Sequence, residues 1–240
     1  MESLVIASGK GGVGKSTVTT LLGRALSTMD QNVLLVDGDA GLNALDILLN
    51  VRDKVIFGWN DALKGVCTME QACIQVNDSL SLLPSPGGIG SEIDLKKIME
   101  FAEGRYDYIL VDAPAGIGRG FINSVRDCDK AIFIATPDEI CVDAAMKASI
   151  VAERIGLPPY SHRMIVNRYD ARTAKSKKLL TYDGMIDKTG VRLLGVVPES
   201  KQITCISVTN EQLKISHPVI QATRRIAWRL LGRPIPLGGQ

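Results

Sequence analysis

A glycine-rich stretch directly after the first apolar run limits what this chain can fold into. Residues 8–17 read Ser-Gly-Lys-Gly-Gly-Val-Gly-Lys-Ser-Thr and follow the apolar run Ser3–Ala7. From Gly9 to Ser16 the stretch fits G-x-x-x-x-G-K-[ST] at every fixed position. Glycines let the backbone curl so that successive N–H groups point at phosphate oxygens, and a following helix adds its positive N-terminal end. The pattern therefore predicts a phosphate-binding loop between a strand and a helix.

The polar side chains of this loop indicate a nucleoside triphosphate with a metal ion. Lys15 is placed to reach the β- and γ-phosphates, and the Ser16 hydroxyl is placed to ligate Mg²⁺. A second lysine, Lys10, lies inside the loop. We predict that Lys15 takes part in catalysis as well as in binding.

Two other interpretations of the loop were weighed. The first is a plain tight turn, which requires neither lysine nor the Ser16-Thr17 pair. The second is a dinucleotide fold, because Gly9, Gly11 and Gly14 also fit G-x-G-x-x-G and Asp37 closes the next strand. Two lysines within the loop favour a triphosphate over both.

Composition places the chain among ordinary globular domains. It has 240 residues, of which 45% are hydrophobic and 22% are charged, so one α/β domain spanning residues 1–240 is expected. The net charge of +2 creates no global field for nucleic acid, and we expect no nucleic-acid partner. The five cysteines are scattered without a C-x-x-C pair, which favours reduced thiols and a cytoplasmic location. We find no secretory signal and no apolar run of the roughly 18–20 residues that span a bilayer.

Short apolar runs alternate with helical patterns along the whole chain. Because most of the runs are apolar on both faces, they predict strands buried between helix layers in a doubly wound, mainly parallel sheet with helices on both faces. The predicted strands are Leu4–Ala7, Val33–Val36, Leu80–Leu83, Tyr108–Val111, Ala131–Ala135, Arg163–Val166 and Leu193–Val197. The predicted helices are Thr17–Met29, Glu92–Glu103, Asp138–Ile155, Lys175–Lys188 and Pro218–Leu231.

Acidic residues end two of the predicted strands. Asp112 closes the strand Tyr108–Val111, and Asp37 and Asp39 follow Val33–Val36. We predict that Ser16, Asp37 and Asp112 form the Mg²⁺ site, and that Asp39 orients the attacking water as a catalytic residue.

A base-reading site is predicted from two later strand ends. Asn167-Arg168 follows one strand, and Pro198-Glu199 follows the last. An asparagine amide suits a purine edge, and the stretch loosely resembles the N-K-x-D guanine signature, so ATP and GTP both remain open. The residues predicted to contact the nucleotide are Gly9, Lys10, Gly11, Gly12, Val13, Gly14, Lys15, Ser16, Thr17, Asn167, Arg168, Pro198 and Glu199.

Taken together, these motifs resemble the MinD/ParA family of P-loop ATPases over nearly the whole chain. Ser8–Thr17 with Lys10 resembles the family's deviant Walker A motif, Asp37–Asp46 its switch I segment, and Val111–Ile117 its Walker B and switch II segment. Thr136–Glu139 and Gly195–Glu199 lie at similar spacings, most like the MinD branch.

The resemblance implies a mechanism and partners. Two subunits would close face to face over two molecules of ATP, with Lys10 of each reaching the partner's phosphates, so that hydrolysis to ADP and phosphate depends on dimerisation. The implied cofactors are ATP and Mg²⁺, and the implied process is cell-division site selection. Division regulators of the MinC and MinE type and an anionic membrane, contacted reversibly at its inner face, are the implied partners beyond a second copy.

The chain departs from the MinD pattern in two places. Ala44 stands where switch I usually has asparagine, which affects the expected hydrolysis rate and partner response. The usual C-terminal targeting segment is not found before Gln240. The basic stretch Pro218–Leu231 has amphipathic spacing, but it matches the family's last core helix, and we predict that it belongs to the core.

Three rival functions within the same superfamily stay open. A DNA-partitioning ATPase of the ParA type requires a basic stripe, for which the chain offers Lys175, Lys177, Lys178, Arg224, Arg225 and Arg229. A metallocentre-assembly ATPase requires paired cysteines, which the spacing does not provide. A flagellar-number regulator has switch motifs too similar to separate from this sequence.

Overall fold

Eight strands form one sheet in the described part of the chain. The structure is a computed structural model that describes residues 1–39, 43–85, 93–176, 179–203 and 213–237. The strands are β1 (Glu2–Ala7), β2 (Val33–Asp37), β3 (Ile74–Asn77), β4 (Leu80–Leu83), β5 (Tyr108–Asp112), β6 (Lys130–Ala135), β7 (His162–Tyr169) and β8 (Arg192–Pro198). Their order is β3-β4-β2-β5-β1-β6-β7-β8, and every neighbouring pair is parallel except β3 and β4.

Helices connect these strands. They are α1 (Lys15–Ser27), α2 (Ala44–Leu49), α3 (Trp59–Leu63), α4 (Met69–Ala72), α5 (Leu95–Ala102), α6 (Arg119–Arg126), α7 (Glu139–Arg154), α8 (Ala171–Lys175), α9 (Tyr182–Thr189) and α10 (Pro218–Leu230). Polar side chains fix several of their starts: the Asp138 carboxylate accepts from the Cys141 N–H at α7, and the Thr181 hydroxyl accepts from the Gly184 N–H at α9.

Both faces of the sheet are buried, which confirms the predicted fold class. Val5 and Ala7 of β1 belong to one apolar cluster, with residues of α5, α6 and α7, whereas Leu4 and Ile6 belong to a second, with residues of α1 and α10. Side chains alternate between the faces of a strand, so β1 contributes to both cores. This explains why its sequence, like those of its neighbours, is apolar without alternation.

The predicted elements correspond to the observed ones with two kinds of error. All seven predicted strands are present, but the antiparallel edge strand β3 and the short helices α2, α3, α4 and α6 were not foreseen. The single helix predicted over Lys175–Lys188 is wrong, because α8 ends at Lys175 and α9 begins only at Tyr182 after its Thr181 cap. Glu92, the predicted start of α5, lies outside the described residues, as do Lys177 and Lys178.

The C-terminal helix α10 is a core helix, as predicted. Val219, Ala222 and Ile226 on its inner face are buried against α1 and β8. Arg229 extends from its flank and donates to the Leu194 carbonyl of β8 at 2.7 Å, to the Ile235 carbonyl at 2.8 Å and to the Pro236 carbonyl. None of the described helices combines the length and apolar character that crossing a bilayer requires.

The cysteines of the described residues carry free thiols. These are Cys67, Cys73, Cys128 and Cys141, while Cys205 lies outside the described residues. Burial raises the pKa of the Cys73 and Cys141 thiols, so both are neutral hydrophobes rather than ligands or nucleophiles at physiological pH.

Gly195→Ala is expected to destabilise the chain, because β8 and α10 approach closely at this position. An added Cβ would lie 2.4 Å from Cγ1 of the buried Ile226 and 3.1 Å from Nη1 of Arg229. Overpacking of this kind costs about 1–3 kcal/mol of the free energy of unfolding, measured by urea denaturation. Gly118→Ala is the matched control, since an added Cβ there meets nothing within 4 Å and φ is −77°. Equal stability of the two variants would contradict the expected clash.

Candidate nucleotide-binding site

The residues predicted from the sequence meet at the carboxyl edge of the sheet. The glycine-rich loop connects β1 to α1, Asp37 ends β2, and Asp112 ends β5. β2 and β5 are neighbours with Asp37 paired directly with Asp112, and β5 also pairs with β1. Strand register thus places both carboxylates beside the loop, because parallel strands end at the same edge of the sheet.

Two glycines let the loop run between β7 and α7. Gly14 precedes α1 with φ of 88°, a left-handed conformation that favours glycine, and an added Cβ would lie 2.4 Å from Nδ2 of Asn167. At Gly9 an added Cβ would lie 2.1 Å from the Ala144 carbonyl oxygen of α7. The loop is therefore packed against the backbone of α7 at Gly9 and against the Asn167 side chain at Gly14, and both positions favour glycine.

The Asp112 carboxylate is the centre of the buried polar cluster. It accepts from Lys15 Nζ at 2.8 Å, from Ser16 Oγ at 2.6 Å and from Thr19 Oγ1 at 3.0 Å. Lys15 and Asp112 are both buried, at 8% and 1% exposure. Three donors from the first turns of α1 thereby compensate a charge that would otherwise be costly to bury.

Asp37 lies beside this cluster, and no described lysine is bonded to its carboxylate. Its carboxylate accepts from the backbone N–H of Asp39 at 3.1 Å and of Leu45 at 3.4 Å. Burial, followed by the charge of Asp112, raises the pKa of Asp37 from its ordinary value of 3.8 to about 7. Among the residues that the structure describes, two buried carboxylates share one ammonium group, so this set of side chains carries an unbalanced negative charge.

The oxygen donors at this edge fit a magnesium ion. Carboxylates of Asp37 and Asp112 and the hydroxyl of Ser16 are the hard ligands that Mg²⁺ prefers, and Mg²⁺ usually completes its shell with water and phosphate oxygens. Among the described residues, no group of three or more His, Cys, Asp or Glu side chains forms a metal cage. That is consistent with an ion held jointly with a phosphate.

The four residues predicted to read the base line one narrow cleft together with Gly14. Asn167 and Arg168 directly precede Tyr169, the last residue of β7, and Pro198 ends β8. Glu199 follows β8, and its N–H donates to the Tyr169 carbonyl at 3.1 Å. Asn167 Nδ2 donates to the Val13 carbonyl at 2.8 Å. This hydrogen bond uses one donor of the Asn167 amide and leaves the acceptor capacity of its oxygen to other partners.

Lys10 and Asp39 lie outside the buried cluster. Lys10 is exposed. Burial raises the pKa of Asp138, but hydrogen bonds from Thr136 and Cys141 and the charge of Lys10 outweigh it and leave that pKa low, so Lys10 lies near the start of α7. Asp39 is half-buried, directly before the undescribed residues 40–42 of the predicted switch I segment.

Three contributors to the site were missed by sequence reasoning. Thr19 donates to Asp112, Trp59 Nε1 donates to the Asp37 carbonyl at 2.8 Å, and Ala144 offers the backbone surface against Gly9. The role of Thr19 could have been predicted from its spacing, because a residue four positions after Lys15 lies on the same face of the helix. Tertiary packing brings Trp59 and Ala144 to the site, and no sequence pattern indicates their contacts.

Comparison with known proteins gives the class of this chain. The family model of the CobQ/CobB/MinD/ParA nucleotide binding domain matches residues 4–213. The chain therefore belongs to this family of nucleotide-binding proteins.

Similarity to individual proteins narrows the class further. The septum site-determining protein MinD of Bacillus subtilis (strain 168) is 32% identical over 247 aligned residues, covering 98% of this chain and 91% of that protein. The MinC:MinD cell division protein complex of Aquifex aeolicus superposes with a TM-score of 0.90 at 33% identity, covering 100% of this chain and 99% of that one. MinD complexed with Mg-ADP from Pyrococcus horikoshii OT3 gives 0.84 at 29% identity, covering 95% of each chain. Within its family, the chain is an ATPase of the MinD type, and its cofactors are ATP and Mg²⁺.

Asp37→Asn is expected to change how stability depends on pH. The pKa of Asp37 is raised in the folded chain, so the folded state keeps a proton that the unfolded chain releases. The stability that this carboxyl contributes is therefore fully present below about pH 4 and is lost as the pH rises through about 7. The asparagine of the variant does not titrate. Its free energy of unfolding should therefore increase relative to that of the wild type as the pH rises from about 4 to about 7.

Urea denaturation of both proteins at several pH values, in EDTA and without nucleotide, measures this difference. Titrating groups remote from Asp37 are common to the two chains and cancel, so the difference reports Asp37 together with its electrostatic coupling to Asp112. A difference that stays constant from pH 4 to pH 7 would show that Asp37 has no raised pKa.

Proposed function

We propose that this chain is an ATP-dependent dimerising switch that hydrolyses ATP to ADP and phosphate and serves in cell-division site selection. We further propose that residues 1–240 form a single P-loop ATPase domain. The observation that carries the proposal is the buried cluster of Lys15, Ser16 and Asp112 beneath a loop whose backbone is fixed by Gly9 and Gly14. Similarity to MinD proteins along nearly the whole chain supports the biological role.

In this proposal Lys15 exchanges partners when nucleotide binds. Its ammonium would leave the Asp112 carboxylate and donate to the β- and γ-phosphate oxygens, while Ser16, Asp37 and Asp112 would hold Mg²⁺. The metal ion supplies charge neutralisation between the phosphates. Because the exchange replaces one buried ion pair by two others, the charge of Asp112 stays compensated when Lys15 leaves it.

The cleft between the ends of β7 and β8 holds the base. Asn167 keeps its Nδ2 on the Val13 carbonyl and presents its amide oxygen, which accepts from the exocyclic amine of adenine. Guanine offers a carbonyl oxygen at the corresponding place, and that would repel the same acceptor. Arg168, Pro198 and Glu199 complete the walls of the cleft.

Lys10 acts on the second subunit. It is exposed and takes no part in the cluster around Asp112, so it is available to the phosphates of a facing copy. A cation delivered only on dimerisation stabilises the charge that develops on the transferred phosphoryl group, which makes turnover depend on association.

Lys10→Ala is expected to retain nucleotide binding but to lose ATP-dependent dimerisation and to lower turnover by about 100-fold or more. Light scattering after gel filtration in Mg-ATP measures the dimer, and phosphate release measures turnover. Lys54→Ala, which removes an exposed lysine from the turn Arg52–Lys54, is the matched control and should behave as wild type. A Lys10 variant that dimerises and hydrolyses normally would eliminate the composite site.

Asp39 orients the attacking water. Asp39→Ala should therefore bind ATP and dimerise, yet hydrolyse at least about 100-fold more slowly, leaving a dimer that persists in ATP. Phosphate release measures hydrolysis, and the lifetime of the dimer after free ATP is removed measures its persistence, with Asp53→Ala as the exposed-carboxylate control. Unchanged hydrolysis would exclude Asp39 from this role.

We also propose that the protein is cytoplasmic, that it associates reversibly with the inner face of the cell membrane, and that it binds regulators of the MinC and MinE type. The resemblance to MinD supports these assignments. Sedimentation with anionic vesicles in Mg-ATP and in Mg-ADP tests the membrane step: pelleting that depends on ATP supports it, and equal pelleting in both nucleotides contradicts it.

A further inference from the structure

A second cavity lies beside the nucleotide cleft and has no part in the proposed reaction. It encloses about 560 Å³ between α1, α2, β3 and α10. Pockets of roughly 300–1,000 Å³ are of the size that holds small organic ligands. Ile203 and Leu213 form part of its rim, and residues 204–212 between them lie outside the described residues.

The wall of this cavity carries positive charge. Arg24 of α1 and Arg224 of α10 both line it, and both side chains are half-buried. The described part of the wall contains no Asp or Glu, and neither guanidinium has a hydrogen bond or ion pair to a described residue. Burial lowers the pKa of Arg24, which expresses the cost of desolvating a cation without a counter-charge.

The rest of the wall is mostly apolar. Leu48, Leu49, Val76 and Ile220 contribute side chains to it. Two lining threonines already use their hydroxyl groups within their own helices, since Thr20 donates to the Ser16 carbonyl at 3.0 Å and Thr223 donates to the Val219 carbonyl at 2.8 Å. The cavity therefore combines two cationic side chains with a mostly apolar lining.

We propose that this cavity binds a small amphiphilic anion, a molecule with a phosphate or carboxylate head and an acyl-sized apolar body. Arginine stays ionised in proteins and its planar fork matches both kinds of head group. The apolar walls account for the body of the ligand, whose burial supplies affinity that a bare anion would lack. The cavity shares Thr17, Leu21 and Ile203 with the base cleft, so its occupant would contact the same helix as the nucleotide.

Calorimetric titration with octyl phosphate and with octanoate tests the proposal and separates the two head groups. Both probes are used below their micelle concentrations, on nucleotide-free protein and again on protein saturated with Mg-ADP. At least one should bind with Kd of about 0.1–1 mM in both states. Inorganic phosphate and the uncharged octyl glucoside should each bind at least tenfold more weakly.

Two variants test the residues. The double variant Arg24→Gln/Arg224→Gln should bind the probe at least tenfold more weakly than wild type. Arg225→Gln, which changes the neighbouring arginine outside the cavity wall, should leave the affinity unchanged. Ile220→Glu is a second test that removes no arginine: the new carboxylate lies four residues before Arg224 on the same helix and should pair with it, again abolishing binding.

Three results would overturn the proposal: no binding of either probe to folded wild type at 1 mM, equal binding by the double variant, or complete displacement by Mg-ADP. The last would place the probe in the nucleotide cleft. Circular dichroism confirms folding of each variant. No step requires ATP turnover, so failure here is distinct from failure of the proposed function.

Discussion

The buried carboxylate of Asp112 is the group on which the architecture of the site depends. It ends a central strand, so it cannot reach bulk water, and it relies on the three donors that α1 provides through Lys15, Ser16 and Thr19. These bonds join the beginning of α1 to the end of β5. The loop between β1 and α1 must then close over a short path, and the close approaches at Gly9 and Gly14 follow from that constraint.

The same group sets the charge balance at the edge of the sheet. Asp37 and Asp112 are paired in register, yet Lys15 is the one ammonium bonded to the pair among the described residues. The excess charge is reflected in the pKa of Asp37, which burial and Asp112 raise to about 7. A proton and a divalent cation are alternative ways to compensate this charge. The sheet holds the two carboxylates in place whether or not their charge is neutralised. The carboxylates alone therefore favour binding of a metal ion, even without the charge of a phosphate.

What the sequence could predict followed from local chemistry. Strands such as β1 and β5 are apolar on both faces because helices cover both faces, and that pattern is visible in the residues themselves. The loop motif and the strand-end acids also act within a few residues. Together they sufficed for the fold class and for the residues that meet at the sheet edge.

The remaining features are decided by contacts distant in sequence. β3 has four residues, pairs antiparallel at the sheet edge and has no distinctive pattern, so it resembles a loop. The break between α8 and α9 depends on the Thr181 cap, which a continuous helical periodicity conceals. Trp59 and Ala144 reach the site, and Arg24 and Arg224 reach one cavity, only when separate elements pack together.

The arginines of α10 show why a basic sequence stretch is weak evidence for nucleic-acid binding. Arg229 donates to the Leu194 and Ile235 carbonyls, and Arg224 lines the cavity with Arg24. Non-specific binding to DNA requires cations on one open face, where each releases counter-ions from a phosphate. Moving Arg229 onto a phosphate would break hydrogen bonds that hold the C-terminal residues to β8. Arg229 is thus committed to a structural task, and with a net charge of only +2 this favours a MinD-type switch over a DNA-partitioning ATPase.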